Sequence, residues 1–459
     1  MDALDSFILK MRRDGLPEVA IEMFCRFYGQ LAEGKGRSIP ESDLVPVEEA
    51  QIERLEDLGG YRTKGIRALG RTIVLKLNGG LGTTLGLSGP KSLCEAKGGL
   101  SFLDVTIAQM RALGMKVPLV LMNSFFTEAA TMEALGGMQN GLVRSFTQHR
   151  YPKVVAATLE PASSPQDPRL EWNPAGHGDL LAAIETSGLL EDLLEAGYRY
   201  LFVSNIDNLS AGLDTAILGY FASEGLEFLM EVTQRTTSDR KGGHLARSKG
   251  GRLMLREASQ CGHDDLPWCS DIFRHRFFNT NNLWINLESL KRALAESRPA
   301  RLPFIANPKR LNPLDPASPR VYHLESALGS AIELFDKSGA VRVPRSRFSP
   351  VKSCEDVLLL WSDYYAIEED FRVGINRDRN LPHIEISLDP EFYGGLDCLR
   401  SRFPHGPPSL VDCSSLFLKG DVLFGPNVAL HGAVSITNHR PHQVSIEDGR
   451  HIDRDLVFD

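Results

Sequence analysis

Leu77–Lys91 reads LNGGLGTTLGLSGPK and places five glycines (Gly79, Gly80, Gly82, Gly86 and Gly89) in eleven residues, where 41 glycines in 459 residues predict about one. Glycine permits positive φ and close backbone approach, so successive N–H groups can converge on a phosphate. Lys91 adds a mobile positive charge at the end of the loop. The spacing is neither the GxxxxGK[ST] phosphate loop nor the GxGxxG dinucleotide turn. SNIDNL (Ser204–Leu209) follows the apolar run YRYLFV and offers Asp207 as a Mg²⁺ ligand, with Asn205 and Asn208 as polar neighbours. An Asx-turn capping the next helix is the other reading of that segment. FFNTNNLWINL (Phe277–Leu287) sets Asn279, Asn281, Asn282 and Asn286 among apolar residues, where carboxamides need partners such as sugar hydroxyls. A polar turn between strands accounts for the same pattern. PAGHGD (Pro174–Asp179) puts Gly176 and His177 just before a helix, where free N–H groups welcome anions or simply cap. VPRSRFSPVK (Val343–Lys352) is basic, bounded by Pro344 and Pro350, and ends in its one lysine, Lys352.

The elements that must bring these segments together alternate along the chain. Arg71–Leu77, Pro118–Ser124, Val143–Gln148 and Tyr200–Asn205 read as short strands, and Asp179–Ala196 as an amphipathic helix with Leu180, Leu181, Ile184, Leu189, Leu190 and Leu193 on one face. That alternation predicts an α/β domain with a mostly parallel sheet, whose ligands sit beyond the carboxyl ends of the strands. Residues 1 to about 58 read as helical, interrupted between Glu33 and Pro46 by Gly, Ser and Pro. In Phe417–Thr437, FLKGDVLFGPNVALHGAVSIT, apolar residues recur every five or six positions between glycine turns, which predicts coils of a β-helix rather than a β-meander.

Length and composition narrow the function classes. A chain of 459 residues exceeds one ordinary core, so two or three domains are expected. A net charge of -8 and a pI near 5.9 argue against a nucleic-acid surface. The first fifteen residues lack a signal-peptide pattern and no run approaches the roughly 18 apolar residues of a bilayer span, so neither secretion nor a membrane is expected. Seven dispersed cysteines without a CxxC pair predict reduced thiols in a cytoplasmic protein. Cys261, His263 and Cys269 lack zinc-site spacing, and a structural or a loop role is expected for them.

Seven stretches in order resemble the eukaryotic-type UTP–glucose-1-phosphate uridylyltransferases: KLNGGLGTTLGLSGPKSL, PAGHGDL, FVSNIDNL, EVTQRTTSDRKGG, FNTNNLWINL, VPRSRFSPVK and GDVLFGPNVALHG. The resemblance implies a Rossmann-like nucleotidyltransferase core with a C-terminal left-handed parallel β-helix. It divides the chain into an N-terminal helical region (1–60), a catalytic domain (61–370) and a tail domain (371–459). Leu77, Asn78, Gly79 and Gly80 then resemble the nucleotide loop, Gln148 the uracil reader, and Gly176 a further nucleotide contact. His177 resembles a sugar-phosphate contact, Asn205 and Asn281 the residues on sugar hydroxyls, Asp207 the magnesium ligand, and Lys91 and Lys352 the phosphate lysines. Ser210 stands where the family has glycine, and Glu257–Asp271 and the chain between Trp361 and Pro408 depart from it.

The implied reaction takes UTP and glucose 1-phosphate to UDP-glucose and pyrophosphate, reversibly, with Mg²⁺. A sugar phosphate with a second pKa of about 6 is already a nucleophile, so no general base is needed, in keeping with motifs that lack a catalytic His–Asp pair. Positioning and charge neutralisation by Lys91, Lys352 and a metal on Asp207 are what the reaction requires. The alternatives are a pyrophosphorylase of broader or N-acetylhexosamine 1-phosphate range, a non-catalytic UDP-sugar sensor, and an acyltransferase suggested by the coils alone. A homo-oligomer through the C-terminal domain is a further expectation.

Overall fold

A computed structural model describes residues 3–34, 38–114, 117–136, 143–240, 242–297, 302–313 and 315–459. Lys241, within the EVTQRTTSDRKGG stretch, lies outside them. The centre is a sheet in the order Glu53–Arg54, Ser338–Arg342, Phe228–Gln234, Phe277–Asn286, Tyr200–Asn205, Thr72–Asn78, Leu119–Asn123 and Val143–Thr147. All neighbours on this path are parallel except Phe277–Asn286, which runs antiparallel to both of its own, so the sheet is mixed. The four expected strands form within one residue of their expected ends.

Side chains alternate across the sheet, and both faces are covered. Ile73, Leu75, Leu201 and Val203 pack with the helices Leu180–Thr186, Leu189–Glu195 and Leu287–Glu296. Val74 and Phe202 face Phe102–Ala112 and Thr215–Ser223 on the other side. The single helix expected over Asp179–Ala196 is two, because Gly188 turns the chain at φ +75° between Thr186 and Leu189.

Residues 3–32 form two helices, Ala3–Arg13 and Glu18–Ala32, whose Phe7, Phe24 and Phe27 pack with Tyr151 and Trp172. Beyond Ala32 the expected helix gives way to 3₁₀ turns and two short strands. Leu44–Pro46 pairs with His244–Ser248, and Glu53–Arg54 with Ser338–Arg342. Prolines 40 and 46 and the gain of pairing at a sheet edge explain the difference.

The tail builds three parallel stacks: Glu385–Leu388 with Cys413–Lys419, Gly432–Asn438 and Leu456–Phe458; Val422–Phe424 with Val444–Ile446; and Ala429–Leu430 with His451–Ile452. A meander would pair antiparallel, so these parallel stacks are not a chain of hairpins. Their interior residues, including Leu416, Phe424, Val434 and Ile446, share one apolar cluster with Leu85, Phe102 and Val351. The chain between Trp361 and Pro408 supplies the helix Leu396–Arg402 to the same cluster.

Contrary to the expectation of reduced thiols throughout, Cys261 and Cys269 form a disulfide with Cα atoms 6.5 Å apart. The 3₁₀ turn His263–Asp265 and the short helix Leu266–Ser270 fold the intervening chain back on itself, a closure that no CxxC signature announces. The other five cysteines are free. Among the described residues no helix is long and apolar enough to cross a membrane.

Candidate active site

Strand register carries the motifs to one edge. Leu77 pairs with Asn205, and Asn78 with Asn123, so both motif strands end level at their carboxyl ends. Phe277–Asn286 runs the other way, which brings the start of that strand, not its end, to the same edge. Asn281 Nδ2 donates to Asn205 Oδ1 at 2.9 Å. Asn281 holds φ +59°, with its N–H bonded to Asn279 Oδ1, and its own buried Oδ1 lacks a partner. An ordered left-handed asparagine with an orphaned acceptor suits a site that receives a hydroxyl donor.

A cavity of about 320 Å³ opens at that edge, lined by Leu77, Gly79, Gly80, Lys91, Gln148, Gly176, His177, Asn205 and Asp207 together with Met122, Pro174, Ile206 and Glu325. Gln148 is fixed in orientation, because its Oε1 accepts the Gly176 N–H at 3.0 Å and its Nε2 lies over Gly79, where a Cβ would overlap it. A Cβ at Gly80 would meet nothing within 4 Å, so that glycine borders open cavity. His177 Nδ1 accepts the Leu328 N–H at 3.1 Å, which leaves Nε2–H as the donor of the neutral ring. Burial lowers its pKa to about 4, so the ring is uncharged at neutral pH. Lys91 Nζ forms an ion pair with Asp207 Oδ2 at 2.7 Å.

Three expected residues lie outside this cavity, Asn281 among them, which meets it only through its bond to Asn205. Asn78 is adjacent to Leu77 in a strand and so faces the opposite way, donating to Asn123 Oδ1 and Thr131 Oγ1. Its side chain ties the sheet edge together. Lys352 lines a second cavity that shares Asp207 with the first. Its carbonyl accepts from Thr84 Oγ1 in the glycine loop, while its N–H donates to Asp356 Oδ2. The Val351 N–H donates to the Asp207 carbonyl, and Asn208 bridges the same two loops through the Arg347 carbonyl and the Ser349 N–H.

The rest of the polar motif residues brace this arrangement. Arg347 is a buried partner of Glu231, contacting both carboxylate oxygens, and Glu231 also accepts from Asn282 and Trp284. Arg345 pairs with Asp239, and Asn286 caps the helix that follows it. Asp179 accepts the His149 N–H beside Gln148. Lys76, wholly buried behind Asp207, donates to Ser204 Oγ, and burial chiefly lowers its pKa to about 8.

Glu325 was not legible as a site residue. It is the penultimate residue of an ordinary-looking strand, Arg320–Ser326, that belongs to a separate small sheet, and only folding carries it against Gly176. Burial raises the pKa of its carboxyl.

Comparison with known proteins identifies the family. The family model for UTP–glucose-1-phosphate uridylyltransferase matches residues 21–431. The chain is similar to the UTP–glucose-1-phosphate uridylyltransferase of Solanum tuberosum, 37% identical over 437 residues that span 93% of this chain and 90% of that protein. Its fold is similar to the crystal structure of a UDP-glucose phosphorylase from Trypanosoma brucei, with 42% identity, a TM-score of 0.90 and all of both chains covered. A mutant UDP-glucose pyrophosphorylase from Leishmania major, solved with UDP-glucose, has 38% identity and a TM-score of 0.90, with 100% of this chain and 99% of that one covered.

Proposed function

The chain belongs to the UTP–glucose-1-phosphate uridylyltransferase family, and on that premise we propose how its own residues carry out the transfer. The enzyme converts UTP and glucose 1-phosphate to UDP-glucose and pyrophosphate, reversibly. The observation that carries the site assignment is the convergence of Gln148, Gly80, His177, Lys91 and Asp207 on one cavity, with Lys352 in the second cavity that shares Asp207 with it.

In this reading uracil lies between Leu77 and Met122, with the Gln148 amide N–H₂ donating to a base carbonyl. Uracil O4 accepts such a bond, whereas the amino group of cytosine offers only donors there. Gly79 and Gly80 leave room for the backbone to approach the nucleotide. His177, neutral, donates from Nε2 to the sugar-phosphate region, and Asn205 and Asn281 hold sugar hydroxyls. The phosphate oxygen of glucose 1-phosphate attacks the α-phosphorus in line, and its bond to pyrophosphate breaks. Lys91 and Lys352 neutralise the negative charge that gathers on the α-phosphate and the leaving group.

Among the described residues no group of three or more His, Cys, Asp or Glu could hold a metal ion unaided. A lone carboxylate still fits Mg²⁺, which is bound through one or two carboxylates plus substrate phosphates. Asp207 would hold it, and bound Mg²⁺ would supply further charge neutralisation at the phosphates.

The parallel stacks of the tail support a left-handed β-helix, and Phe417 and Val457, exposed on those coils, support an oligomer contact there. A cytoplasmic location also belongs to this reading, supported by the five free thiols. The test is an assay of UTP with a panel of sugar 1-phosphates, following pyrophosphate release. Turnover of glucose 1-phosphate is expected. Turnover of an N-acetylhexosamine 1-phosphate in its place would reassign the sugar, and binding without pyrophosphate release would make the protein a sensor.

A further inference from the structure

The ion pair between Lys91 and Asp207 joins the two groups that the proposed reaction needs apart. One would face phosphate and the other a divalent cation, yet here each is the other's partner at 2.7 Å. The pair is sheltered, with the side chains 13% and 15% exposed. Lys91 is anchored at its base by the bond from its N–H to the Gly80 carbonyl, and Asp207 by the bond from the Val351 N–H to its carbonyl. The two backbones are therefore held while the side chains remain free to exchange partners.

We propose that this ion pair is a latch that makes binding of the divalent cation and of the nucleotide phosphates depend on each other. The inference rests on the reading of Asp207 as the metal ligand and Lys91 as a phosphate ligand. A bare cation would have to displace the ammonium from Asp207, leaving Lys91 unpaired beside a double positive charge, with buried Lys76 close behind. Bare triphosphate could draw Lys91 away only by leaving Asp207 uncompensated against further negative charge. When both arrive together, Lys91 exchanges carboxylate for phosphate and Asp207 exchanges ammonium for metal, so no charge is left without a partner. Each ligand raises the affinity of the other by the same factor, as linkage requires. The nucleotide-free protein is thereby kept from filling with free divalent cation.

The test uses the full-length protein and Mn²⁺ as a spectroscopic probe, titrated by electron paramagnetic resonance with and without UTP. In the wild type, Mn²⁺ binding without UTP is expected to be weak and to strengthen when UTP is present. Lys91→Met should tighten nucleotide-free Mn²⁺ binding by roughly 5- to 150-fold, the usual span of coupling between sites. Lys91→Arg, which keeps the charge, should stay near the wild type and serves as a second variant with circular dichroism on both. Adding Asp207→Asn to Lys91→Met should abolish the gain. Equal nucleotide-free affinity in wild type and Lys91→Met overturns the latch. Should Asp207→Asn alone leave Mn²⁺ binding in the presence of UTP unchanged, Asp207 is not the metal ligand, and the underlying assignment fails together with the latch.

Discussion

Gln148 presents its amide in one sense only, because the Gly176 N–H occupies Oε1 and Gly79 leaves space for Nε2. Gly79→Ala should therefore act like Gln148→Ala, although it removes no polar atom. Both are expected to erode the preference for UTP over CTP by about 1–3 kcal/mol, the range for a buried polar group left unpaired. Competition kinetics with the two triphosphates measures this, and an unchanged preference in Gly79→Ala would assign base reading elsewhere. Lys352 differs, since it sits exposed at the border of the second cavity and makes no side-chain hydrogen bond or ion pair among the described residues. Lys352→Ala should lower kcat by about 10²–10³ with a smaller change in UTP affinity. A folded variant that keeps most of its kcat would leave Lys91 as the chief side-chain cation. His177 gives a pH signature in stability. Its folded pKa, lowered to about 4 from 6.5, means that the unfolded chain binds the extra proton first as pH falls. Stability should drop between pH 6.5 and 4 on this account, by about 2 kcal/mol at pH 5. Urea unfolding of the wild type and His177→Asn at pH 7 and pH 5 should show the gap between them narrowing by about that amount.

At the scale of elements, direction matters more than identity. Had the strand Phe277–Asn286 run parallel to its neighbours, Asn281 would lie away from Asn205; antiparallel pairing, with Val203 opposite Leu283, brings the two asparagines level. Behind this edge the helices Arg62–Ala68 and Thr215–Ser223 approach so closely that a Cβ on Gly219 would overlap the Tyr61 carbonyl and stand 2.8 Å from the Gly65 nitrogen. Gly219→Ala should force the helices apart at a cost of about 1–3 kcal/mol, as overpacking does. A lower thermal midpoint with KM for UTP unchanged is the expected result. A midpoint equal to that of the wild type would mean that the helix layer yields without strain.

Across the whole molecule, the tail is part of the core that carries the site. Leu85 in the glycine loop and Val351 beside Lys352 belong to the same cluster as the buried residues of the tail's strands. Leu430, 1% exposed, is buried in that apolar cluster, where a charge would be desolvated. Leu430→Asp should thus destabilise the protein by more than about 4 kcal/mol, the range of an unpaired buried charge. Activity and circular dichroism should be lost over the same temperature range. Activity that outlasts unfolding of the tail would separate the two parts.

From the sequence alone the strands around Thr72–Asn78 and Tyr200–Asn205, the glycine loop and the chemical types at Asp207, Lys91 and Lys352 were legible. Each depends on hydrophobic period, turn chemistry or a motif within a short stretch. Tertiary structure decided which of these side chains meet. Lys91 and Asp207 are 116 residues apart and Asn205 and Asn281 are 76 apart, so their contacts follow from sheet order and strand direction. The same holds for Glu325 against Gly176 and for the buried pairing of Arg347 with Glu231. Local sequence specifies what a residue can do, because side-chain chemistry and backbone preference are local. Which partner it finds is a property of the packed chain.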